Sequence, residues 1–368
     1  MIDFASALYL GMRHASSSLR PWDQLTAGKP AALEPVEGSE AAARQLAALQ
    51  GCEAATVETS TLHLAWDIFN PGAMAGRAIY IDAGAYPILR WGVERAAARG
   101  VHVRSFRHHD AGALAASLDR GRRLRPLVVT DGLCPACGEV APLRKYLEWA
   151  EAHGGDVVVD DTQALGILGR EPARNSPYGR EGGGSLRWLG LASPNVTVVA
   201  SMAKGFGVPT AVLTGSRQRI EEFAMSSETR VHSSPPSVAA SRAMERALHV
   251  NASDGDRLRG RLAYLVRHFR RALRQIGLQA AGGLFPVQTI SNLSSEQAAR
   301  LHKGLAQRGI RTVLHREKRA QRINISFLIN ATHRPDEIEE AVNVVSQELG
   351  GQWDYMPGTS EICICNGR

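Results

Sequence analysis

Short apolar runs alternate with longer amphipathic stretches between residues 54 and 215. The runs are rich in valine, isoleucine and threonine and predict strands, whereas the stretches between them have the spacing of helices. Strands and helices in alternation favour a mostly parallel sheet covered on both faces, so we expect a three-layer α/β domain with seven strands. The predicted strands are Ala54–Glu58, Ala78–Asp82, Val101–Phe106, Pro126–Thr130, Asp156–Asp160, Val196–Ser201 and Thr210–Gly215.

The pattern changes after residue 235 and predicts a smaller α+β domain at the C-terminal end. Two helices are expected first, Pro235–Val250 and Ser253–Ile276. A strand, a helix, two strands and a last helix follow: Pro286–Ser291, Ser295–Gln307, Ile310–His315, Arg322–Ile329 and Arg334–Leu349. We therefore divide the chain into an N-terminal segment that packs on both domains (1–50), a large domain (51–250), a small domain (251–350) and a tail (351–368).

Composition narrows the class of protein. Hydrophobic residues make up 44% and charged residues 21% of the 368 residues, as in ordinary globular proteins. No apolar run approaches the ~20 residues that cross a bilayer, and the start has no basic signal-peptide region, so we expect a cytoplasmic protein without a membrane partner. The net charge is +7, but the arginines are spread along the chain and no nucleic-acid motif appears, so no nucleic-acid partner is expected.

Five cysteines include a Cys134-Pro-Ala-Cys137 motif and a pair near the end, Cys363 and Cys365. Together they offer the four ligands of a tetrahedral zinc site. A single C-x-x-C motif without a second such motif is weak evidence for zinc, and free thiols are the ordinary state inside cells. We therefore expect no metal.

Two strand ends carry the candidate chemistry. Asp160 ends an apolar strand, and Lys204 lies in a glycine-flanked turn after the strand that ends at Ser201. Ligands of α/β proteins bind beyond the carboxyl ends of the strands, and a partly buried lysine there can attack a carbonyl carbon. Taken singly, the aspartate is more often a helix cap and the lysine a solvated loop residue.

Four motifs in one order carry a resemblance to a known family. They are residues 131–143, the strand ending at Asp160, the Lys204 turn and residues 232–236, accompanied by residues 53–55 and 106–110. The chain resembles the α-oxoamine synthases, such as 8-amino-7-oxononanoate synthase, from about residue 7 to residue 338. This resemblance implies fold type I of the pyridoxal 5′-phosphate (PLP) enzymes, PLP as the cofactor and a homodimer.

The resemblance also implies roles for individual residues. Lys204 would carry PLP as a Schiff base, Asp160 would pair with the pyridine nitrogen, and Tyr86 would stack on the ring in place of the histidine of the family. The predicted phosphate contacts are Ser201, Ser60 and Thr61, with Ser233 or Ser234 reaching the phosphate of the neighbouring subunit. Gln163 would hydrogen-bond the cofactor oxygen, and Arg322 is our choice for the substrate carboxylate. For Arg322, a plain strand-edge arginine is nearly as good an interpretation.

The implied reaction joins a quinonoid carbanion, derived from an amino acid, to an acyl thioester such as acyl-CoA or to another electrophile. Tyr86 and Gln163 stand where the family has histidines, and Pro135 stands where it has serine, so we predict a diverged member of a specialised biosynthetic pathway. An aminotransferase is the alternative. A non-catalytic regulator is disfavoured because such proteins usually carry a DNA-binding module, and the sequence shows no motif of one.

Overall fold

The computed structural model describes residues 1–70, 72–121, 124–317 and 322–350. At its centre lies a seven-stranded sheet in the order β2-β8-β7-β6-β5-β3-β4. These strands are β2 (Ala54–Glu58), β3 (Arg77–Asp82), β4 (His102–Phe106), β5 (Arg125–Asp131), β6 (Asp156–Asp160), β7 (Val196–Ser201) and β8 (Ala211–Gly215). All seven strands lie where the apolar runs predict them, with ends that differ by at most one residue.

Strands β4, β3, β5, β6 and β7 are mutually parallel, and β8 runs antiparallel to both of its neighbours. Because a loop of nine residues without a helix joins β7 to β8, the two strands pair directly and antiparallel, without the helical crossover that parallel strands need. The prediction of a mostly parallel seven-stranded sheet is confirmed. Parallel neighbours bring the carboxyl ends of β5, β6 and β7 to one edge, where the candidate residues follow.

Helices cover both faces of this sheet. One face packs against α2 (Thr61–Ile68), α3 (Pro87–Ala98) and α7 (Arg217–Ser226), through residues such as Phe69, Val93 and Phe223. The other face packs against α4 (Ala111–Asp119), α5 (Leu143–Ala152) and the short α6 (Ser185–Leu189), through residues such as Leu114, Tyr146 and Leu186. Both clusters are buried, which gives the three layers that the sequence predicts. Within the described ranges, no helix combines the length and apolarity needed to cross a membrane.

A second sheet and three helices form the smaller part. The sheet is antiparallel in the order β12-β13-β10-β9. Its strands are β9 (Ala280–Ala281), β10 (Val287–Ile290), β12 (Val313–Glu317) and β13 (Arg322–Leu328). Helix α10 (Ser295–Gln307) packs on β13, and α9 (Val238–Gln275) contacts Phe327 of β13 through Phe269. Helix α11 (Pro335–Glu348) packs on α9 and α10, and the short α8 (Glu228–His232) precedes α9. Ile325 and Phe327 of β13 are buried in the shared core.

The two helices predicted over Pro235–Val250 and Ser253–Ile276 are one continuous helix, α9, so that prediction is wrong. Its polar middle suggested a break, but tertiary contacts hold it together. Asn251 donates to the Glu181 carbonyl at 2.8 Å and accepts from the buried Arg259 guanidinium at 2.8 Å. A Cβ on Gly255 would lie 2.6 Å from the Asn251 side chain, so glycine makes room for this pair. The domain boundary proposed at residue 250 falls inside α9 and stays a prediction.

The first fifty residues contact both parts of the chain. Strand β1 (Ile2–Asp3) pairs in parallel with β11 (Ile310–Arg311), and the Phe4 ring packs on Phe327 of the small sheet. Tyr9 reaches the large sheet, where its hydroxyl donates to Gln163 at 2.9 Å. Helix α1 (Ser39–Gln50) lies against β2, β8 and α9. The segment therefore connects the two sheets and contributes a side chain near the strand ends.

A buried charge cluster at the amino end of β6 gives a stability prediction. Asp156 is paired with Arg77 and Arg219 at 2.6 Å each, and Arg77 is itself buried. Asp156→Ala leaves the Arg77 guanidinium buried without its partner, so we expect a loss of about 3–5 kcal/mol in the free energy of unfolding. Urea unfolding followed by circular dichroism measures it. The exposed Asp119→Ala variant, which loses only a 3.8 Å pair with His153, is the control and should lose less than ~1 kcal/mol. Equal losses would contradict the prediction.

Candidate active site

Two carboxylates lie side by side where β5 and β6 end. Asp131 and Asp160 are cross-strand partners, and both are buried. The Asp160 Oδ1 atom accepts from the backbone N–H of Thr162 at 3.0 Å, and the Asp131 Oδ1 atom accepts from the backbone N–H of Tyr86 at 3.0 Å. Asp131 Oδ2 has no hydrogen-bond partner among the described residues. A buried acceptor without a donor is costly, so this edge is suited to a donor from a ligand.

Lys204 completes an electrostatic cluster with these two acids. Burial lowers the pKa of the Lys204 ammonium, and the negative charges of Asp160 and Asp131 oppose that shift. Burial raises the pKa of Asp160, while hydrogen bonds from Thr162 and the charge of Lys204 favour its ionised form. The pKa of Asp131 is raised well above its usual range, by burial first and then by the charge of Asp160. The Thr162 donors and the charge of Lys204 therefore favour the ionised form of Asp160.

Tyr86, predicted to stack on the cofactor ring, stands beside the lysine. The Lys204 Nζ atom lies 5.4 Å from the centre of the Tyr86 ring. Tyr86 is the residue that precedes α3, where Pro87 occupies the first helical position, and Tyr86 is 42% exposed. The exposed aromatic face next to Lys204 is free to cover a planar ligand.

The turn after β7 is tied to the turn after β6 through Thr162. The Ser201 N–H donates to Thr162 Oγ1 at 3.0 Å, and the Ser201 hydroxyl accepts from the Ala203 N–H at 3.2 Å. Gln163, one residue further on, is buried and accepts the Tyr9 hydroxyl. These bonds fix the two turns that carry Asp160 and Lys204 relative to each other.

The predicted phosphate residues before α2 form a hydroxyl-rich helix start. Ser60 caps the helix, its hydroxyl accepting from the His63 N–H at 3.4 Å, and Thr61 is the first helical residue. The Ser60 and Thr59 hydroxyls also contact His63 Nδ1, at 2.9 and 3.0 Å. A helix N-terminus with hydroxyls at its cap is suited to an anion.

The remaining predicted residues make contacts of other kinds. Ser234 is exposed, and the half-buried Ser233 donates its hydroxyl to the Thr229 carbonyl at 2.6 Å. Arg322 opens β13, but its Nε atom donates to the Leu293 carbonyl at 3.1 Å, a bond inside the small domain. None of these contacts places Ser233, Ser234 or Arg322 beside Lys204. Their assignments to a partner's phosphate and to a substrate carboxylate stay predictions.

Sequence reasoning assigned no role to three side chains that the structure brings to this edge. Asp131 opens the motif of residues 131–143 and ends strand β5. A carboxylate at the end of an apolar strand is also the feature that made Asp160 a candidate. Tyr9 and Thr162 gave no such signal, since Tyr9 is 154 residues from Gln163 in the chain. Of the cysteines in the zinc alternative, Cys134 is buried and Cys137 is half-buried, whereas Cys363 and Cys365 lie outside the described residues.

Comparison with known proteins places the chain in a family. The sequence model of aminotransferase class I and II matches residues 24–345. The chain belongs to this family. An 8-amino-7-oxononanoate synthase of Halorhodospira halophila is 30% identical over 313 residues, which are 83% of this chain and 74% of that protein. The synthase of the same name from Alkalilimnicola ehrlichii is 28% identical over 84% of this chain and 77% of its own length. Within the aminotransferase class I and II family, the resemblance to α-oxoamine synthases is confirmed.

Solved structures of family members share the fold. A serine palmitoyltransferase variant from S. paucimobilis, solved with a PLP–myriocin aldimine, has a TM-score of 0.82 at 19% identity and covers 94% of this chain and 87% of its own. The 8-amino-7-oxononanoate synthase of Francisella tularensis has a TM-score of 0.74 at 17% identity and covers 95% and 98%. The predicted PLP fold type I, with its smaller C-terminal domain, is confirmed.

Proposed function

We propose that this chain is a PLP-dependent transferase that joins the α-carbon of an amino acid to the acyl group of a thioester. The observation that carries the proposal is a half-buried lysine of lowered pKa, Lys204, near the buried carboxylate of Asp160. The relatives described above are named synthases, which favours carbon–carbon bond formation over the alternative of amino-group transfer.

The residues present fit PLP. Lys204 offers an amine of lowered pKa for the aldehyde, and the Tyr86 ring lies beside it to cover one face of a pyridine. Asp160 would accept the pyridinium N–H, and that positive charge would relieve the repulsion between Asp160 and Asp131. When bound here, the cofactor supplies an electron sink for the electron pair left at the α-carbon of an amino acid.

Phosphate binding is proposed for Ser201 and for the start of α2. Ser60 and Thr61 offer hydroxyls and backbone N–H groups at the positive end of the helix dipole. Ser233 or Ser234 would complete the phosphate site of a second copy, so the proposal includes a homodimer. The exposed apolar side chains of Leu33 and Trp91 are of the kind that such an association would bury.

Lys204, Gln163 and Arg322 are the residues proposed for proton transfer, for a hydrogen bond to the cofactor and for binding the substrate carboxylate. Once its amine is released by an incoming amino acid, Lys204 is the nearest general base, because its lowered pKa leaves part of it neutral. Gln163 can hydrogen-bond the cofactor but cannot take up a proton at neutral pH, and Tyr9 fixes its amide oxygen. Arg322 would have to release the Leu293 carbonyl to bind a carboxylate.

We propose an amino acid and a thioester that differ from those of the relatives, because three side chains differ from those that the resemblance implies. Tyr86 and Gln163 stand where the resemblance implies histidines, and Pro135 stands where it implies a serine, so groups that exchange or donate protons are missing. The loss of a proton-transfer group typically lowers the catalytic rate by ~100-fold. An enzyme that still performed the reactions of the relatives would be expected to keep these groups. The acyl acceptor and donor are therefore expected to differ from those of the relatives.

Reductive labelling tests the cofactor lysine. The holoenzyme treated with borohydride should carry a phosphopyridoxyl group on the peptide that contains Lys204, because this half-buried amine has a lowered pKa. Peptide mass mapping locates the label. Lys145, an exposed lysine paired with Glu148, is the internal control and should remain unlabelled. Label on any lysine other than Lys204 would refute the assignment.

The two strand-end acids are distinguished by matched amide variants. Asp160→Asn removes the carboxylate proposed to pair with the pyridinium, so we expect turnover to fall by ~100-fold or more while PLP remains bound. Asp131→Asn replaces an acid whose raised pKa already favours the neutral form, so its loss should stay below ~10-fold. Steady-state rates and PLP absorbance measure both effects. The reverse order of losses would assign the ring contact to Asp131.

Product analysis tests the reaction itself. Amino acids are mixed in a panel with acyl-CoA thioesters, and thiol release and product mass are recorded. We expect release that requires both substrates and a product joined by a new carbon–carbon bond. Alanine with pimeloyl-CoA, glycine with acetyl-CoA and serine with palmitoyl-CoA should each run below ~1 s⁻¹. The enzyme would instead be an aminotransferase if it converted an amino acid to its keto acid in the presence of an amino acceptor and released no thiol.

A further inference from the structure

A cluster of imidazoles and a thiol lies at the carboxyl edge of β3, β4 and β5, beside the proposed cofactor site. His108 and His109 follow β4, and Cys137 lies in the loop after β5. One ligand atom from each of these three residues lies within 4.8 Å of the others. Since β4, β3 and β5 are parallel neighbours, their carboxyl ends bring together side chains that are far apart in sequence.

The carboxylate of Asp82 orients His108. Asp82 Oδ1 lies 2.7 Å from His108 Nδ1, and both side chains are at most 2% exposed. Because a carboxylate accepts, the proton belongs on Nδ1 and the lone pair on Nε2. That Nε2 atom faces the Cys137 sulfur at 3.6 Å. A carboxylate that holds the far nitrogen of a histidine is the usual support of a metal-bound imidazole.

The distance between Cys137 and His108 suits a tetrahedral ion. Zinc bonds of ~2.3 Å to sulfur and ~2.0–2.1 Å to nitrogen place two tetrahedral ligands about 3.5 Å apart. The observed separation of 3.6 Å between Cys137 Sγ and His108 Nε2 agrees with this. A thiolate with imidazoles favours zinc over magnesium or calcium, which prefer oxygen ligands.

His109 supplies an unsatisfied nitrogen at the same place. Its ring stacks on His108 with centres 3.7 Å apart, and its buried Nε2 atom has no hydrogen-bond partner among the described residues. The backbone holds His109 at φ +54°, an uncommon conformation for a residue other than glycine, and Asp82 Oδ2 accepts its N–H at 3.0 Å. A buried nitrogen without a partner is expensive, and a metal ion would satisfy it.

The loop that carries Cys137 is itself fixed. The Gly138 N–H donates to the Cys134 carbonyl at 2.8 Å, and the Cys134 N–H donates to the Glu139 carbonyl at 2.9 Å. A Cβ on Gly138 would lie 2.1 Å from the Gly282 carbonyl oxygen, so this loop meets the small domain backbone to backbone. The Cys137 thiol therefore lies in a hydrogen-bonded turn that contacts the backbone of the small domain at Gly282.

We propose that His108, His109 and Cys137 bind a zinc ion, with Asp82 as the residue that orients His108. The ion would join the loops after β4 and β5 and hold the Cys137 turn against the small domain. The three protein ligands leave a fourth position for water or another ligand. This site is distinct from the four-cysteine arrangement that the sequence suggested, because two of its ligands are histidines.

Zinc content of the holoenzyme tests the proposal. After dialysis with zinc alone and removal of the excess, mass spectrometry of the metal should give about one zinc per chain. Cys137→Ser and His109→Asn should each weaken zinc binding by at least ~100-fold, since even the loss of an outer-shell partner typically costs 10–100-fold. Zinc-edge X-ray absorption should show one sulfur and two imidazole nitrogens as protein ligands.

Matched variants outside the cluster are the controls. Cys52→Ser and His153→Asn change a cysteine and a histidine elsewhere and should keep the affinity of the unchanged protein. Circular dichroism and PLP absorbance establish that each variant is folded. Zinc far below one per chain in the unchanged protein, or zinc held as tightly by either Cys137→Ser or His109→Asn, would overturn the proposal. Neither result depends on which reaction the enzyme performs.

Discussion

The burial of two neighbouring carboxylates governs the chemistry at the carboxyl edge of the large sheet. Asp131 and Asp160 end adjacent parallel strands, and water is excluded from both. Two such acids cannot both be ionised without nearby positive charge or donors. Backbone N–H groups from Tyr86 and Thr162 and the ammonium of Lys204 supply part of that compensation. A ligand can supply the rest, and a protonated pyridine ring offers a donor and a positive charge in one planar group.

The strands, and Asp160 and Lys204 as candidate site residues, could be predicted from sequence because the patterns that indicate them are local in the chain. A buried parallel strand appears in the sequence as a continuous apolar run, and residues at or soon after its carboxyl end lie at the ligand-binding edge, which makes Asp160 and Lys204 candidates. Helix α9 could not be predicted as one element, because Asn251 and Arg259, on either side of Gly255, bond to the distant Glu181 and Gly166 carbonyls, and such contacts are tertiary. The cluster around His108 was missed for the same reason, since its members come from three separate strand ends.

The N-terminal segment contributes to the site as well as to the packing. Tyr9 occupies the position from which it donates to Gln163, and its ring contacts Phe285 of the small domain at 5.6 Å. The orientation of the Gln163 amide therefore depends on how residues 1–50 lie between the two sheets. Burial raises the pKa of the Tyr9 phenol, which keeps that hydroxyl a donor at physiological pH. The position of a side chain beside the ends of β6 and β7 is thus linked to the N-terminal segment.

Helix α9 also limits how this chain can change length. Its 38 residues pack on the α1 side of the large sheet at one end and on α11 at the other. A single inserted residue would rotate everything beyond it by about 100° and shift it by ~1.5 Å, turning the apolar stripe of Leu262, Val266 and Phe269 away from its partners. Viable insertions are therefore confined to the turns that flank the helix. Hybrids that exchange C-terminal parts between relatives must preserve the residue count of this one element.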